Sequence, residues 1–586
     1  MLSATRMFAI LRKKHCRTVS AGWAAILALL FAALLVGCSK AGKESAEKKT
    51  APAAGRGGGE SAEALLIKPP AAEFQQPLNL PAGQPLPRMT PEGEQPSSPQ
   101  ESPQAASSPA PPKVRPGKKA AVPFDPIKEN GPIFVDWPKP KLAIVITGME
   151  HGYLEPCGCA GLDRMRGGMG RRHSLFLQLR REGWPVFGID VGGLARGFGR
   201  QAELKFHTLV ESKRRMGYAA VAFGVDDLRL PAGELAAVAA GVNGQESLFV
   251  AANVGLFGFQ AGITPRYRII EAGGMKIGVT AVLGTSYQKE IHNDELEMMD
   301  AEGALRQILP ELKQKADYLI LLAHAPREEA LSLARKFPDF QVVVTPDGPP
   351  LPPAQPETID GSERLLITVG EKGMEAIVLA FFDDAQQPWR YQRVPLDSRF
   401  PSSPEMQLLM VVYQEQLKAM GLSGLGLRPV PHPLLESNGK FVGSQKCESC
   451  HEESYKVWRK SGHAQAYESL VKAEPPRNFD PECLSCHVVG WHPTKYFPYE
   501  SGYESLEKTP HLSDVGCESC HGPGEKHCAV ESGSNEALQK KYRQAMVLTK
   551  EDARQQHCGT CHDLDNSPDF DFDAYWPLVE HKEDTE

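Results

Sequence analysis

The chain has 586 residues, a formal net charge of -7, 23% charged residues and 8% aromatic residues. Mild acidity without a basic patch interleaved with aromatics excludes a nucleic-acid-binding surface. The length accommodates two or three folded domains in addition to unstructured sequence.

Arg6, Arg12, Lys13, Lys14 and Arg17 form a basic start, and Ala21 to Val36 is almost wholly apolar. The run ends in Leu35-Val36-Gly37-Cys38, which resembles a bacterial lipoprotein signal. The resemblance implies that 1–37 is a signal peptide and that Cys38 is lipidated and held in a lipid bilayer. The rival reading is a transmembrane anchor, and the apolar run is near the lower length limit for one. Both readings put the folded domains outside the cytoplasmic membrane, in the periplasm. Ser39 leaves inner and outer membrane open. Residues 38–138 are rich in Pro, Ala and Ser and show no apolar periodicity, which predicts a disordered tether.

From 139 to 400, strand and helix patterns alternate. The strand runs are Leu142–Thr147, Trp184–Asp190, Ala219–Phe223, Ser247–Val254, Asp317–Ala323 and Phe340–Val344, with a hairpin over Arg268–Val282 turning on Gly273-Gly274. Glu203–Met216 is a helix pattern between strands. This predicts an α/β domain with a largely parallel sheet. His151-Gly152 after the first strand, Gly167-Gly168, Asp190-Val-Gly-Gly193 and Leu322-Ala323-His324 resemble the metallophosphoesterase domain of the 5′-nucleotidases, which implies a mixed-sheet α/β fold.

The metal ligands of that family are missing. Met149, Gly193, the Gly224-Val-Asp-Asp227 segment and Thr345-Pro-Asp347 stand where it has Asp, Asn and His, so two-metal phosphatase or nucleotidase chemistry is not expected. In the loop after the first strand, Cys157-Gly-Cys159 lies near His151 and Glu155. The two thiols could bind a soft metal, act on sulfur species, form a strained local disulfide, or be structural thiols in a tight glycine turn. Asp190, Asp226, Asp227 and His324 could be neighbours of that site or buried supports of the fold. Residues 401–438 read as a connector with one helix.

The last segment, 439–586, holds four copies of Cys-x-x-Cys-His: Cys447, Cys450, His451; Cys483, Cys486, His487; Cys517, Cys520, His521; and Cys558, Cys561, His562. With 13 Cys and 17 His in the chain, chance supplies roughly 0.01 such copies. Each is an attachment site for haem c, two thiols bonding the porphyrin and the His reaching iron as proximal ligand. Zinc ribbons also use Cys-x-x-Cys but do not need the His. Four covalently bound haem c groups are therefore predicted, in a mostly helical and irregular domain. Because little other apolar sequence is available, the macrocycles are expected to form its core.

Phe441-Val-Gly-Ser-Gln-Lys-Cys447, Trp458 to Ala464 and Val515 to Gly524 resemble the tetrahaem cytochrome c family that accepts electrons from hydroxylamine oxidoreductase. The resemblance implies distal iron ligands: His463, on a helix starting near Glu453, for the third haem; His527 for the fourth; and His581 for the first. In that family the second haem keeps an open axial position, and His492, His511 and His557 are spare candidates here. Cys528 has no Cys-x-x-Cys partner.

The reading is an envelope-anchored multihaem cytochrome that passes electrons to redox partner proteins of the periplasm or membrane. The alternative is an oxidoreductase acting on a small nitrogen or sulfur species, at an open haem or at Cys157/Cys159. A third is a scaffold whose middle domain docks a redox partner.

Overall fold

The computed structural model describes residues 124–581 apart from 159–160 and 242–245. The expected signal peptide, Cys38, the tether as far as 123, and Cys159 lie outside the described residues.

The described residues form thirteen strands, of which the β-branched runs Leu142–Thr147, Val342–Thr345 and Leu365–Thr368 are buried on both faces. The strands are β1 (Leu142–Thr147), β2 (Val186–Asp190), β3 (Tyr218–Val221), β4 (Val254–Leu256), β5 (Tyr267–Ala272), β6 (Met275–Leu283), β7 (Leu296–Met298), β8 (Tyr318–His324), β9 (Val342–Thr345), β10 (Glu357–Thr358), β11 (Leu365–Thr368), β12 (Glu375–Phe381) and β13 (Trp389–Pro395). One sheet has the order β13-β12-β1-β2-β3 and a second the order β10-β11-β9-β8-β6-β5. They pack face to face, with Ile144 and Ile146 of β1 against Val279 of β6, Ile320 of β8 and Val344 of β9. Helices α1 (Met169–Arg181) and α2 (Arg200–Met216) cover the outer face of the first sheet. Helices Ala301–Lys315 and Arg327–Lys336 cover the second. The result is a four-layer α/β sandwich.

The sheets are mixed: β1, β2 and β3 are parallel, while β12 pairs antiparallel with β1 and β13. The β5–β6 hairpin does turn on Gly273 and Gly274, whose φ values of 58° and 74° suit glycine. Ser247–Val254 is a correction, since it makes only an isolated bridge, Val221 to Phe249, before β4. The buried Asn253 explains this: its side chain accepts from Leu283 N at 2.9 Å and donates to Leu283 O at 2.7 Å, so a carboxamide stands in for ladder backbone.

Two boundaries also move. Residues 124–138 are not tether. Asp125 caps a helix Pro126–Asn130, Asn130 bonds Asp397 at 2.7 Å, and Trp137 stacks on Trp184. The connector helix, α3 (Pro404–Gly424), buries Met406, Leu409, Met410, Tyr413 and Leu417 in the α/β core, and a second short helix, Leu435–Asn438, follows. Burial of about 1.5–3 kcal/mol per large apolar side chain makes α3 part of that domain.

Beyond 439 the elements are short helices and turns. They surround a small protein core of Phe441, Tyr467, Leu470, Leu484, Val488, Val489, Trp491, Tyr503 and Leu512, so the protein contributes a core of its own here.

Candidate haem centres

Each motif closes as a helical turn. His451, His521 and His562 donate backbone N–H to Cys447, Cys517 and Cys558 at 2.9, 3.0 and 2.9 Å, and the second motif ends helix α4 (Pro481–His487). Positions i, i+3 and i+4 share a helix face, so both thiols and the imidazole of a motif turn the same way. They turn into one cavity of about 4270 Å³, lined by Cys and His from all four motifs. That is roughly a thousand Å³ per motif, at the upper end for a small-molecule site.

The imidazoles are oriented by their second nitrogen. Nδ1 lies 2.7 Å from Ala466 O in His487, 2.6 Å from Met546 O in His521, and 3.0 Å from Ser567 Oγ in His562. The carbonyl partners of His487 and His521 fix Nδ1 as donor and leave Nε2 with its lone pair for a metal. Burial holds the pKa values of His487, His521 and His562 below the usual value, which keeps the neutral, ligating form.

Three further histidines face proximal ones. Ring centroids are 6.2 Å apart for His451 and His527, 6.1 Å for His463 and His562, and 5.8 Å for His521 and His581. Two imidazoles on one metal, each bonded at about 2 Å, put their centroids about 6 Å apart. The donor set therefore fits axially ligated haem. Burial pushes the pKa of His463 down to about 4. Counted along the chain, the pairing corrects the order implied by the resemblance: His463 faces the fourth motif, His527 the first and His581 the third. Side chains meet across the tertiary structure irrespective of motif order. His463 opens a 3-10 turn, His463–Gln465, after the helix Glu452–Lys460 ends. Among the described residues, none of the spare His492, His511 and His557 stacks on a proximal imidazole, and His492 packs on Phe497 at 5.1 Å.

Thiol contacts give the spatial order of the motifs. Cys447 hydrogen-bonds with Cys517, raising the pKa of Cys447 and lowering that of Cys517 to about 7. Cys520, pushed up to about 11 by burial, neighbours Cys558. Cys486 hydrogen-bonds with Cys561. The order is first, third, fourth, second. Cys528 is half-buried, with Cys450 and Lys446 near it.

Glu518, inside the third motif, was not singled out by sequence. Its carboxylate is 3% exposed and accepts backbone N–H from Val442 at 3.0 Å, Gly443 at 2.7 Å and Gly524 at 2.8 Å, tying the lead into the first motif to the third. Asp480 was also missed, although Asp-Pro directly before a helical motif is a readable N-cap signal.

At the α/β edge, Cys157 lines the same cavity as Cys483 and Cys486. His151 lines it too, with a φ of 52°. Glu155 is an ion-pair partner of Arg477, so it is committed to the cytochrome region. No cluster of three or more His, Cys, Asp or Glu suited to a metal occurs among the described residues.

The acids and His at the strand ends are internal supports. Asp190 lies 2.6 Å from Lys213 Nζ, which also meets Glu150 at 2.7 Å, while Arg172 meets Glu150 at 2.7 Å; all four side chains are fully buried. Asp227 accepts from Gly193, Ala195 and Gly224 N–H at 2.9, 2.7 and 2.7 Å, and burial pushes its pKa up to about 6. Asp226 holds Gly197 N at 3.0 Å and Arg229 at 2.6 Å. His324 Nδ1 bonds Val191 O at 2.8 Å, and burial pushes its pKa down to about 4. Gly193 has a φ of 82°, and a Cβ there would meet Met149 Sδ at 2.7 Å.

These features define a region built around four haem-attachment motifs, folded against a mixed-sheet α/β sandwich. Residues 446–522 match the family described as cytochrome c554 and c-prime. Over 146 residues the chain is 32% identical to cytochrome c-554 of Nitrosomonas europaea, a match covering 22% of this chain and 60% of that protein. The matched residues 446–522 carry three of the four Cys-x-x-Cys-His motifs. Solved structures similar to this chain include a 5′-nucleotidase precursor from Thermus thermophilus (TM-score 0.41, 20% identity, 48% of this chain and 59% of that one). Another is the NAD nucleotidase of Haemophilus influenzae (TM-score 0.39, 13% identity, 52% of this chain and 64% of that one).

Proposed function

We propose that this chain is a tetrahaem electron carrier, anchored in the cell envelope through a lipid on Cys38, with its folded domains in the periplasm. The observation that carries the reading is the set of three facing imidazole pairs around one cavity lined by four attachment motifs. When bound, each haem supplies a one-electron iron couple. Cys447/Cys450, Cys483/Cys486, Cys517/Cys520 and Cys558/Cys561 attach the groups, and His451, His487, His521 and His562 are the proximal ligands. His527, His581 and His463 serve as distal ligands opposite the first, third and fourth proximal His. Paired imidazoles keep the coordination the same in both redox states, which favours transfer over turnover.

The α/β domain is not a phosphatase in this reading, since Lys213 neutralises Asp190 and backbone N–H groups occupy Asp227. Intact mass after acid–acetone extraction tests the count: the processed polypeptide should be heavier by four haem masses. Retained zinc with no Soret absorbance would overturn the reading.

A further inference from the structure

The second motif differs from the others in where its helix begins. Helix α4 carries Cys483, Cys486 and His487, and Asp480 caps it by accepting Glu482 N–H at 3.1 Å. The same carboxylate reaches into the α/β domain. Its Oδ1 accepts from Gln201 Nε2 of α2 at 2.9 Å, and its Oδ2 from Gln414 Nε2 of α3 at 3.0 Å. Gln201 also donates to Tyr413 at 3.0 Å. Asp480 is 5% exposed and Gln414 4%. On the first turn Glu482 pairs with Lys205 of α2, and just upstream Arg477 pairs with Glu155.

The other motifs lack such an arrangement among the described residues. The first is tied to the third by Glu518, within the cytochrome region. The fourth meets the α/β domain through the Lys372–Asp565 and Arg164–Asp569 pairs, the latter at 3.0 Å with Asp569 63% exposed. Screened pairs of that kind hold geometry weakly, whereas a buried carboxylate with both oxygens bonded holds it strongly.

We propose that the α/β domain is the second half of the second haem's site: through Gln201, Gln414, Lys205 and Glu155 it positions the helix bearing Cys483, Cys486 and His487, and so sets the potential of that haem alone. Asp480, Gln201 and Gln414 are positioning residues. The proposal gives the domain a site-building role in place of phosphoester chemistry, and it rests on haem attachment at the second motif.

The test uses the full-length holoprotein, with haem on the peptide containing Cys483 and Cys486 verified by mass. Asp480→Asn keeps a good N-cap residue and removes a buried negative charge, so it should raise one redox component and leave the others in place. The expected change is about a tenfold rise in the reduced-to-oxidised ratio of that component at fixed potential, equal to about 59 mV for one electron. Gln201→Met with Gln414→Met leaves the Asp480 charge less neutralised and should lower the same component. Glu518→Gln should move other components and not this one. Lys205→Met, a single change at the less buried rim of the same clamp, gives a second variant if the double one is unstable, and should also lower that component. Absence of haem on the second-motif peptide would overturn both this inference and the tetrahaem reading. Haem present with every component unmoved in Asp480→Asn, or all components moving together, would overturn the inference alone.

Discussion

Replacing Lys213 with Met tests whether the sheet edge is a sealed ion cluster. Lys213 Nζ lies 2.6 Å from Asp190 and 2.7 Å from Glu150, with all three side chains fully buried. Removing one partner of a buried pair costs about 3–5 kcal/mol, because the remaining charge stays desolvated. Arg172 still holds Glu150, and Thr147 at 2.5 Å and Gly192 N at 2.8 Å still hold Asp190, which places the loss near the lower limit, about 3 kcal/mol. Amide hydrogen exchange in the full chain reads this locally. Peptides spanning β1 and β2 should exchange about a hundredfold faster, at 1.4 kcal/mol per tenfold.

The deficit should depend on pH. Burial and Glu150 already raise the pKa of Asp190 in the folded state, and losing Lys213 raises it further. A raised folded pKa gives stability that is present below the unfolded value of about 3.9 and lost as pH rises through the folded one. In the wild type Glu150 is lowered, so its contribution is present above about 4.3 and lost as pH falls through its folded pKa. Both effects narrow the gap between variant and wild type in acid and widen it towards neutrality. Adding Asp190→Asn should restore part of the protection. Exchange in β1 and β2 unchanged within about threefold would refute the reasoning.

Three further outcomes are expected. His463→Ala should convert one low-spin haem to high-spin by electronic spectroscopy, and His463→Met should raise one potential, because thioether ligation favours ferrous iron; His527 should behave in the same way on a different component. Cys38→Ser should abolish labelling with a radioactive fatty acid and leave an unprocessed precursor, and normal labelling would disprove the anchor. The purified chain should not hydrolyse nucleotide monophosphates with added manganese, zinc or calcium, whereas metal-dependent hydrolysis lost on mutating Asp190 would show that Lys213 does not seal the edge.

The chain alone determines what is local. Cys-x-x-Cys-His places two thiols and an imidazole on one helical turn, so attachment sites and proximal ligands are readable without a fold. Unbroken β-branched runs gave β1, β2, β8 and β9 in the same way, since their burial on both faces leaves no polar register to read. Ser247–Val254 misled because one buried Asn253 side chain diverts the ladder, and the α3 segment read as a connector because its apolar face has no visible target in sequence.

Tertiary structure decided everything that depends on distant partners. Which imidazole faces which motif, the first–third–fourth–second order, the Lys213 cluster and the Asp480 clamp all join residues far apart in the chain. Their energies come from excluding water around charges and donors brought together by packing, and sequence spacing carries no record of that.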